Sequence, residues 1–357
     1  MAIDNILQKA QEGNGLLLEE TKFLFEKLVD LDEASHIAAE LKSEQKGDLA
    51  TLYTCLYITN SCLNNCGYCG YRSSNKNLER ITLSSKQIAE EAKAIKDLGV
   101  SNVILIGATI QEEKYRDLII EGTRSLLELD LIPWIEFENL SPETLKQISD
   151  VGADHFVLFQ ETYDKGKYER VHRGNSLKND YDARLRKVDE AVASGFSNIN
   201  IGALLGLNRD YISEIVGLYY HAKRLQEKGA NVCISVPTLK PAPGLSISLN
   251  RVSDFDIEKS YTVLRLALPD ASLALSGREG EELRNRLFPI VDQIGSGGVP
   301  NPGGRTIYKE AYQKGDTQFT LSDKRPPREV TQYLATLGIE VTPRGEWGSK
   351  RRLNLKF

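Results

Sequence analysis

From residue 51 onward short apolar runs alternate with amphipathic stretches, and that alternation confines the chain to the α/β folds. The runs predict strands at 52–59, 102–107, 133–137, 155–159, 198–203, 231–236, 272–276 and 290–294. Each is rich in Ile, Val, Leu or Phe, the composition of strands buried on both faces. Helical periodicity fills the gaps at 84–98, 115–129, 142–151, 180–194, 210–228, 254–268 and 281–288. Ser141-Pro142 marks a helix start, and Gly99, Gly152, Gly195 and Gly229 mark helix ends. Eight strand–helix alternations predict a (β/α)8 TIM-type barrel; a doubly wound sheet with an extra domain is the competing arrangement. A barrel puts its chemistry at the C-terminal ends of the strands.

Three segments are expected: an N-terminal helical lead-in over 1–50, the barrel over 51–299, and a C-terminal extension over 300–357. The extension opens on turn-forming Pro300-Asn-Pro302-Gly-Gly304 and carries a last helix at 328–337, and it reads as a cap or a partner-binding segment. The formal charge of -5 argues against a nucleic-acid surface, and Lys324-Arg325 and Lys350-Arg351-Arg352 read as solvated surface. No apolar run approaches the ~20 residues of a membrane span, and Met1 leads directly into a polar helical pattern rather than a secretory signal. Five cysteines, an odd number with three crowded together, do not form a secreted disulfide framework. A reducing, cytoplasmic compartment is therefore expected.

The crowded three lie in Cys62-Leu-Asn-Asn-Cys66-Gly-Tyr-Cys69, immediately after the first strand. A structural zinc takes four protein ligands and disulfides take pairs. A [4Fe–4S] cubane on three cysteines keeps one iron open to a substrate or cofactor. Zinc completed by one of the four histidines is the alternative, although no CxxC or HxxxH partner pair accompanies the loop. Cys55 and Cys233 lie within strands and read as small buried hydrophobes, and His155 reads as a core histidine.

The run from Tyr57 through the three cysteines to Lys76 resembles the radical S-adenosylmethionine (SAM) superfamily, and within it the aromatic amino acid lyase branch. That branch contains the 2-iminoacetate synthase of thiamine formation and the tyrosine lyase of [FeFe]-hydrogenase maturation. Further blocks carry the likeness along most of the chain: Phe159-Gln-Glu161-Thr-Tyr163, Tyr168-Glu-Arg-Val-His172, Asp180-Tyr-Asp-Ala-Arg184, Ser276-Gly-Arg278-Glu279 and Gln318-Phe-Thr-Leu-Ser-Asp323.

The resemblance implies that Cys62, Cys66 and Cys69 hold a [4Fe–4S] cluster whose fourth iron binds SAM. One electron then yields a 5′-deoxyadenosyl radical that takes a hydrogen atom from the substrate. It further implies SAM contacts from Glu161, Arg184 and Tyr68, a grip on a substrate carboxylate by Arg278, and an electron donor such as flavodoxin or ferredoxin. His172 is expected to orient a loop or to take part in the site.

Three departures mark the sequence. The family's Gly-Gly-Glu stretch after the second strand is here Gly107-Ala108-Thr109-Ile110, which leaves Thr109 and backbone carbonyls as acceptors unless Glu112 reaches back. The family arginine after the sixth strand is replaced by Thr238. The serine partner of Arg278 is Gly295, with Ser296 beside it. No cysteine follows Cys233, so the second cluster of the hydrogenase-maturation relative is not expected. The leading expectation is an enzyme that cleaves the Cα–Cβ bond of an amino acid such as L-tyrosine. The alternatives are a radical SAM enzyme for another small-molecule substrate, such as a pyridinol-type cofactor precursor or the substrate of an amino acid mutase, and a zinc-stabilised scaffold.

Overall fold

A computed structural model describes residues 2–174, 177–242, 245, 247–310 and 317–344. The Lys350-Arg351-Arg352 patch lies outside the described residues. Eight parallel strands close into a barrel: β1 Leu49–Thr59, β2 Asn102–Gly107, β3 Ile132–Glu136, β4 His155–Val157, β5 Asn198–Gly202, β6 Asn231–Ser235, β7 Ser272–Leu275 and β8 Gln293–Gly295. Pairing runs in chain order from β2 to β8, and β1 closes the ring between β8 and β2. The connecting helices carry their own start signals. Ser84 and Gln87 form a reciprocal capping box at the helix Ser85–Asp97, and Ser141 accepts from the Thr144 N–H at the helix Pro142–Val151.

Inside the barrel, Tyr53, Trp134 and His155 stack in series, with ring centroids 5.1 and 5.8 Å apart. This aromatic layer makes the interior a packed core, as a barrel of this size requires. His155 belongs to it, as expected of a core histidine.

The helices Ile3–Gln11, Leu18–Lys27 and Asp32–Lys46 pack against the outer helices Tyr211–Glu227 and Asp254–Ala267. The Lys259 ammonium donates to the Phe25 carbonyl at 2.6 Å, and the Tyr219 hydroxyl donates to the Leu16 carbonyl at 2.8 Å. Gly15 stands at φ +77, where a Cβ would meet the Ala267 carbonyl oxygen at 2.7 Å. After the barrel, a last helix Pro327–Thr336 leads to β9, Glu340–Val341, which pairs in parallel with the start of β1.

The eighth strand begins later than its apolar run. Ile290 and Val291 donate to the Leu287 carbonyl and so complete the preceding helical turn; they are apolar because that turn is buried. A short helix at Lys165–Val171, capped by Asp164, was not expected from the periodicity.

Candidate active site

Two adjoining cavities open where the barrel strands end. The chain around them has little regular structure, so its backbone groups need other partners. Arg80 supplies many of them: its guanidinium donates to the carbonyls of Asn60, Tyr71, Arg72 and Asn75 at 2.6 to 3.0 Å. Asn60 pins the other side, accepting from the Ile81 N–H at 2.7 Å and donating to the Glu79 carbonyl at 2.9 Å. The cysteine loop is tied outward as well. Leu63 donates to the Thr109 carbonyl, Gly67 to that of Val171, and Gly70 to that of Gln318.

Cys62, Cys66 and Cys69 all border the second cavity, and Cys69 borders both. The Asn64 N–H points at Cys62 Sγ and the Tyr71 N–H at Cys69 Sγ, each at 3.4 Å. Burial pushes the Cys62 thiol up to about 11 and raises those of Cys66 and Cys69 as well, while Lys178 works in the opposite sense on the latter two. Among the described residues no three His, Cys, Asp or Glu side chains converge on a single metal ion. A cubane instead takes one thiolate at each of three irons, and so asks for thiols spaced around a cavity.

Opposite the thiols lies a buried charged network. Glu161, held at φ +71 just beyond β4, accepts from Lys178 Nζ at 2.5 Å and lies 3.8 Å from the Arg184 guanidinium. Burial alone would raise the Glu161 carboxyl; Lys178 and Arg184 outweigh it and hold it at about 2. The Arg184 guanidinium also reaches the Phe159 carbonyl at 2.9 Å and pairs with Glu138. Glu138 in turn accepts from the Thr109 hydroxyl and the Asn64 amide. The carboxylate missing from the Gly107–Thr109 stretch thus arrives two residues beyond β3, not from Glu112. Glu112 accepts from the Ser141 N–H and hydroxyl at 2.9 and 2.7 Å, and is committed to that helix start.

Tyr68 borders both cavities. Its hydroxyl meets His172 Nε2 at 3.0 Å, and Lys178 Nζ lies 5.7 Å from its ring centroid. Burial and the Lys178 charge lower His172 to about 2, so the imidazole is neutral and orients Tyr68.

The first cavity is more apolar, walled by Ile104, Ile106, Phe159, Leu204 and Leu239. Arg278 enters it after β7 with a hydrogen bond of 3.5 Å to the Thr238 carbonyl, and its guanidinium lies 3.4 Å from the Phe319 ring centroid. Ser296 borders this cavity and its hydroxyl reaches the Arg325 carbonyl at 3.3 Å. Thr238 borders neither of the two cavities; its N–H and hydroxyl both go to Glu279, at 2.9 and 3.0 Å. Its side chain therefore does not replace the missing family arginine in the cavity wall. At Gly295 a Cβ would stand 3.1 Å from Tyr53 Cζ and 3.2 Å from its hydroxyl. The Tyr53 phenol fills the space where the family serine was expected.

The sequence reading missed Glu138, Lys178, Arg80 and Tyr53. Lys178 lies two residues before the Asp180–Arg184 block and carries a signal only in retrospect; Arg80 acts on its own neighbouring loop, and Glu138 and Tyr53 depend on contacts between distant segments.

Side chains gathered on the loops above a closed parallel barrel mark a (β/α)8 enzyme. Residues 56–219 match the radical SAM superfamily, and residues 235–340 match the biotin and thiamin synthesis associated domain. The chain is 27% identical over 313 residues to the 2-iminoacetate synthase of Escherichia coli, covering 87% of this chain and 81% of that protein. It is 28% identical over 361 residues to the 3-methylornithine synthase of Methanosarcina acetivorans, covering 97% and 96%. The crystal structure of the FeFe-hydrogenase maturase HydG from Carboxydothermus hydrogenoformans superposes with a TM-score of 0.86 at 31% identity, covering 95% of this chain and 79% of that one. The chain belongs to the radical SAM superfamily. With that membership come a [4Fe–4S] cluster, SAM and a small-molecule substrate. No helix among the described residues is long and apolar enough to cross a membrane.

The residues present fit those cofactors. Three thiols border one cavity together with two cations and three carboxylates, a donor set that suits an iron cluster and a ligand with carboxylate, ammonium and sulfonium groups.

Proposed function

We propose that this radical SAM enzyme acts on an amino acid such as L-tyrosine and cleaves its Cα–Cβ bond. One observation carries the reading: the Arg278 guanidinium borders an apolar cavity with, among the described residues, a single long hydrogen bond of its own, to Thr238. A planar guanidinium so placed has its fork available for a carboxylate, and Phe319 holds its plane. The likeness to 2-iminoacetate synthase supports the same substrate class.

In this reading Cys62, Cys66 and Cys69 hold the cluster. Arg184 turns toward the SAM carboxylate; Glu138, Thr109 and Glu161 accept from its ammonium and ribose; Tyr68 flanks its adenine. The bound cofactors supply one-electron chemistry and hydrogen-atom abstraction, and the chain supplies binding, orientation and exclusion of water. The apolar wall of the first cavity would keep solvent from the reacting groups, and a flavodoxin or ferredoxin would supply the electron.

A second reading, a radical SAM enzyme with another substrate, draws on Tyr53 standing where the serine was expected, and on the coverage of both chains by the 3-methylornithine synthase match. Anaerobic incubation with SAM, dithionite and L-tyrosine separates the two. Release of p-cresol supports the lyase; deoxyadenosine without p-cresol supports the other substrate.

A further inference from the structure

Seven residues border both cavities, and three of them matter here: Tyr57, Glu161 and Glu136. Glu136 is the last residue of β3, on the same inward face as Trp134 and beside Ile106 of β2. The other acids around the site are engaged. Glu138 serves Arg184 and Thr109, Glu161 serves Lys178 and Arg184, and Glu279 serves Thr238 and Ser276. The Glu136 carboxyl makes no hydrogen bond and no ion pair among the described residues.

A carboxyl enclosed without a partner is unfavourable and is relieved by a partner that enters with a ligand. The surroundings limit what that partner is. Ile104, Ile106 and Phe159 offer no polar atoms, and Tyr57 spends its hydroxyl on Gln318 at 2.6 Å. Burial, then the nearby Glu161 carboxylate, push the Glu136 carboxyl up to about 8, while Arg184, Lys178 and Arg278 pull the other way. Arg278 borders the same cavity as Glu136, and one small molecule can span the two.

We infer that Glu136 is a specificity residue that receives a protonated nitrogen of the substrate, while Arg278 receives its carboxylate. The inference rests on the amino acid reading above and adds the recognition of the amino group. SAM is the competing owner of this carboxyl, and the SAM affinity of the variant decides between the two. Of the acids that border the second cavity, Glu136 and Glu161 alone also border the cavity of Arg278, and Glu161 is already paired.

The test uses the reconstituted holoenzyme with SAM and measures binding rather than turnover. The probes are the twenty standard amino acids with L-ornithine, each shift in melting temperature being followed by calorimetry. For every amino acid that binds, its desamino acid is compared, for tyrosine 3-(4-hydroxyphenyl)propanoate. Glu136→Gln is expected to weaken the amino acid at least tenfold, to change the desamino acid less than twofold, and to leave SAM affinity within twofold. Equal binding of the amino acid by wild type and Glu136→Gln, with binding lost in Arg278→Lys, overturns the inference and leaves the amino acid reading standing. A tenfold loss of SAM affinity alone assigns Glu136 to the cofactor and overturns it too. If no amino acid binds the wild type, both the reading and the inference fall.

Discussion

Phe319 lies flat against Arg278, its ring centroid 3.4 Å from the guanidinium carbon. The ring belongs to the segment after the barrel and the cation to the loop after β7, so the C-terminal stretch forms one wall of the first cavity. Gln318 extends that wall, bonding to the Tyr57 hydroxyl at 2.6 Å and reaching Cys69 Sγ at 3.8 Å.

Stacking holds the plane of the guanidinium where hydrogen bonds do not. Phe319→Leu keeps the apolar volume and removes the ring face, a loss of about 0.5–2 kcal/mol. Substrate KM is expected to rise roughly two- to thirtyfold by the same conversion, with iron content unchanged. Steady-state kinetics with iron analysis check both.

Arg80 should matter to the cluster loop without touching either cavity directly. Arg80→Ala removes the guanidinium from four loop carbonyls, of which that of Arg72 keeps the Asn75 N–H, and Arg80→Lys restores charge but not the fork. Both variants are expected to fold, with Arg80→Ala taking up less than half the wild-type iron after anaerobic reconstitution and Arg80→Lys an intermediate amount.

Glu136 gives a pH signature in the cofactor-free protein. Its carboxyl ordinarily titrates near 4.5 and is held up to about 8 in the fold, chiefly by burial. Between those values the folded state keeps a proton that the unfolded chain releases, so this group's contribution to stability falls as pH rises. Glu136→Gln removes that dependence. Its melting temperature should equal the wild type's at pH 5 and exceed it at pH 9, by a stability difference on the order of 1–3 kcal/mol.

Tyr53 is expected to take over the hydroxyl role of the absent serine. Tyr53→Phe preserves the stack on Trp134 and removes only the hydroxyl, with a binding loss of about 0.5–1.5 kcal/mol. Gly295→Ser forces a side chain against that phenol and should weaken substrate binding more than Tyr53→Phe does. Binding titrations on the two variants check the order.

Much of this architecture was legible in the chain. Strands buried on both faces announce themselves as apolar runs, and β2 was legible to the residue. The start of β8 was not, because Ile290 and Val291 are apolar for a helical turn's sake. β9 was not, because two residues carry no periodicity. The cysteine loop stood out because its chemistry is encoded in local spacing. Glu138 did not, because its role arises only when the end of β3 comes beside Thr109 and Arg184. Local spacing reveals ligands held by one loop; partners drawn from several strands appear once the barrel closes.

The central claim, that Cys62, Cys66 and Cys69 carry a cluster that cleaves SAM, is tested most directly by anaerobic reconstitution of wild type and Cys66→Ser. Iron, sulfide and deoxyadenosine formed with SAM and dithionite are measured on each. The account predicts about four irons and four sulfides per wild-type chain with deoxyadenosine formed, and loss of both in the variant. A wild-type protein that takes up zinc but no iron, or a Cys66→Ser variant that still makes deoxyadenosine at the wild-type rate, would contradict it.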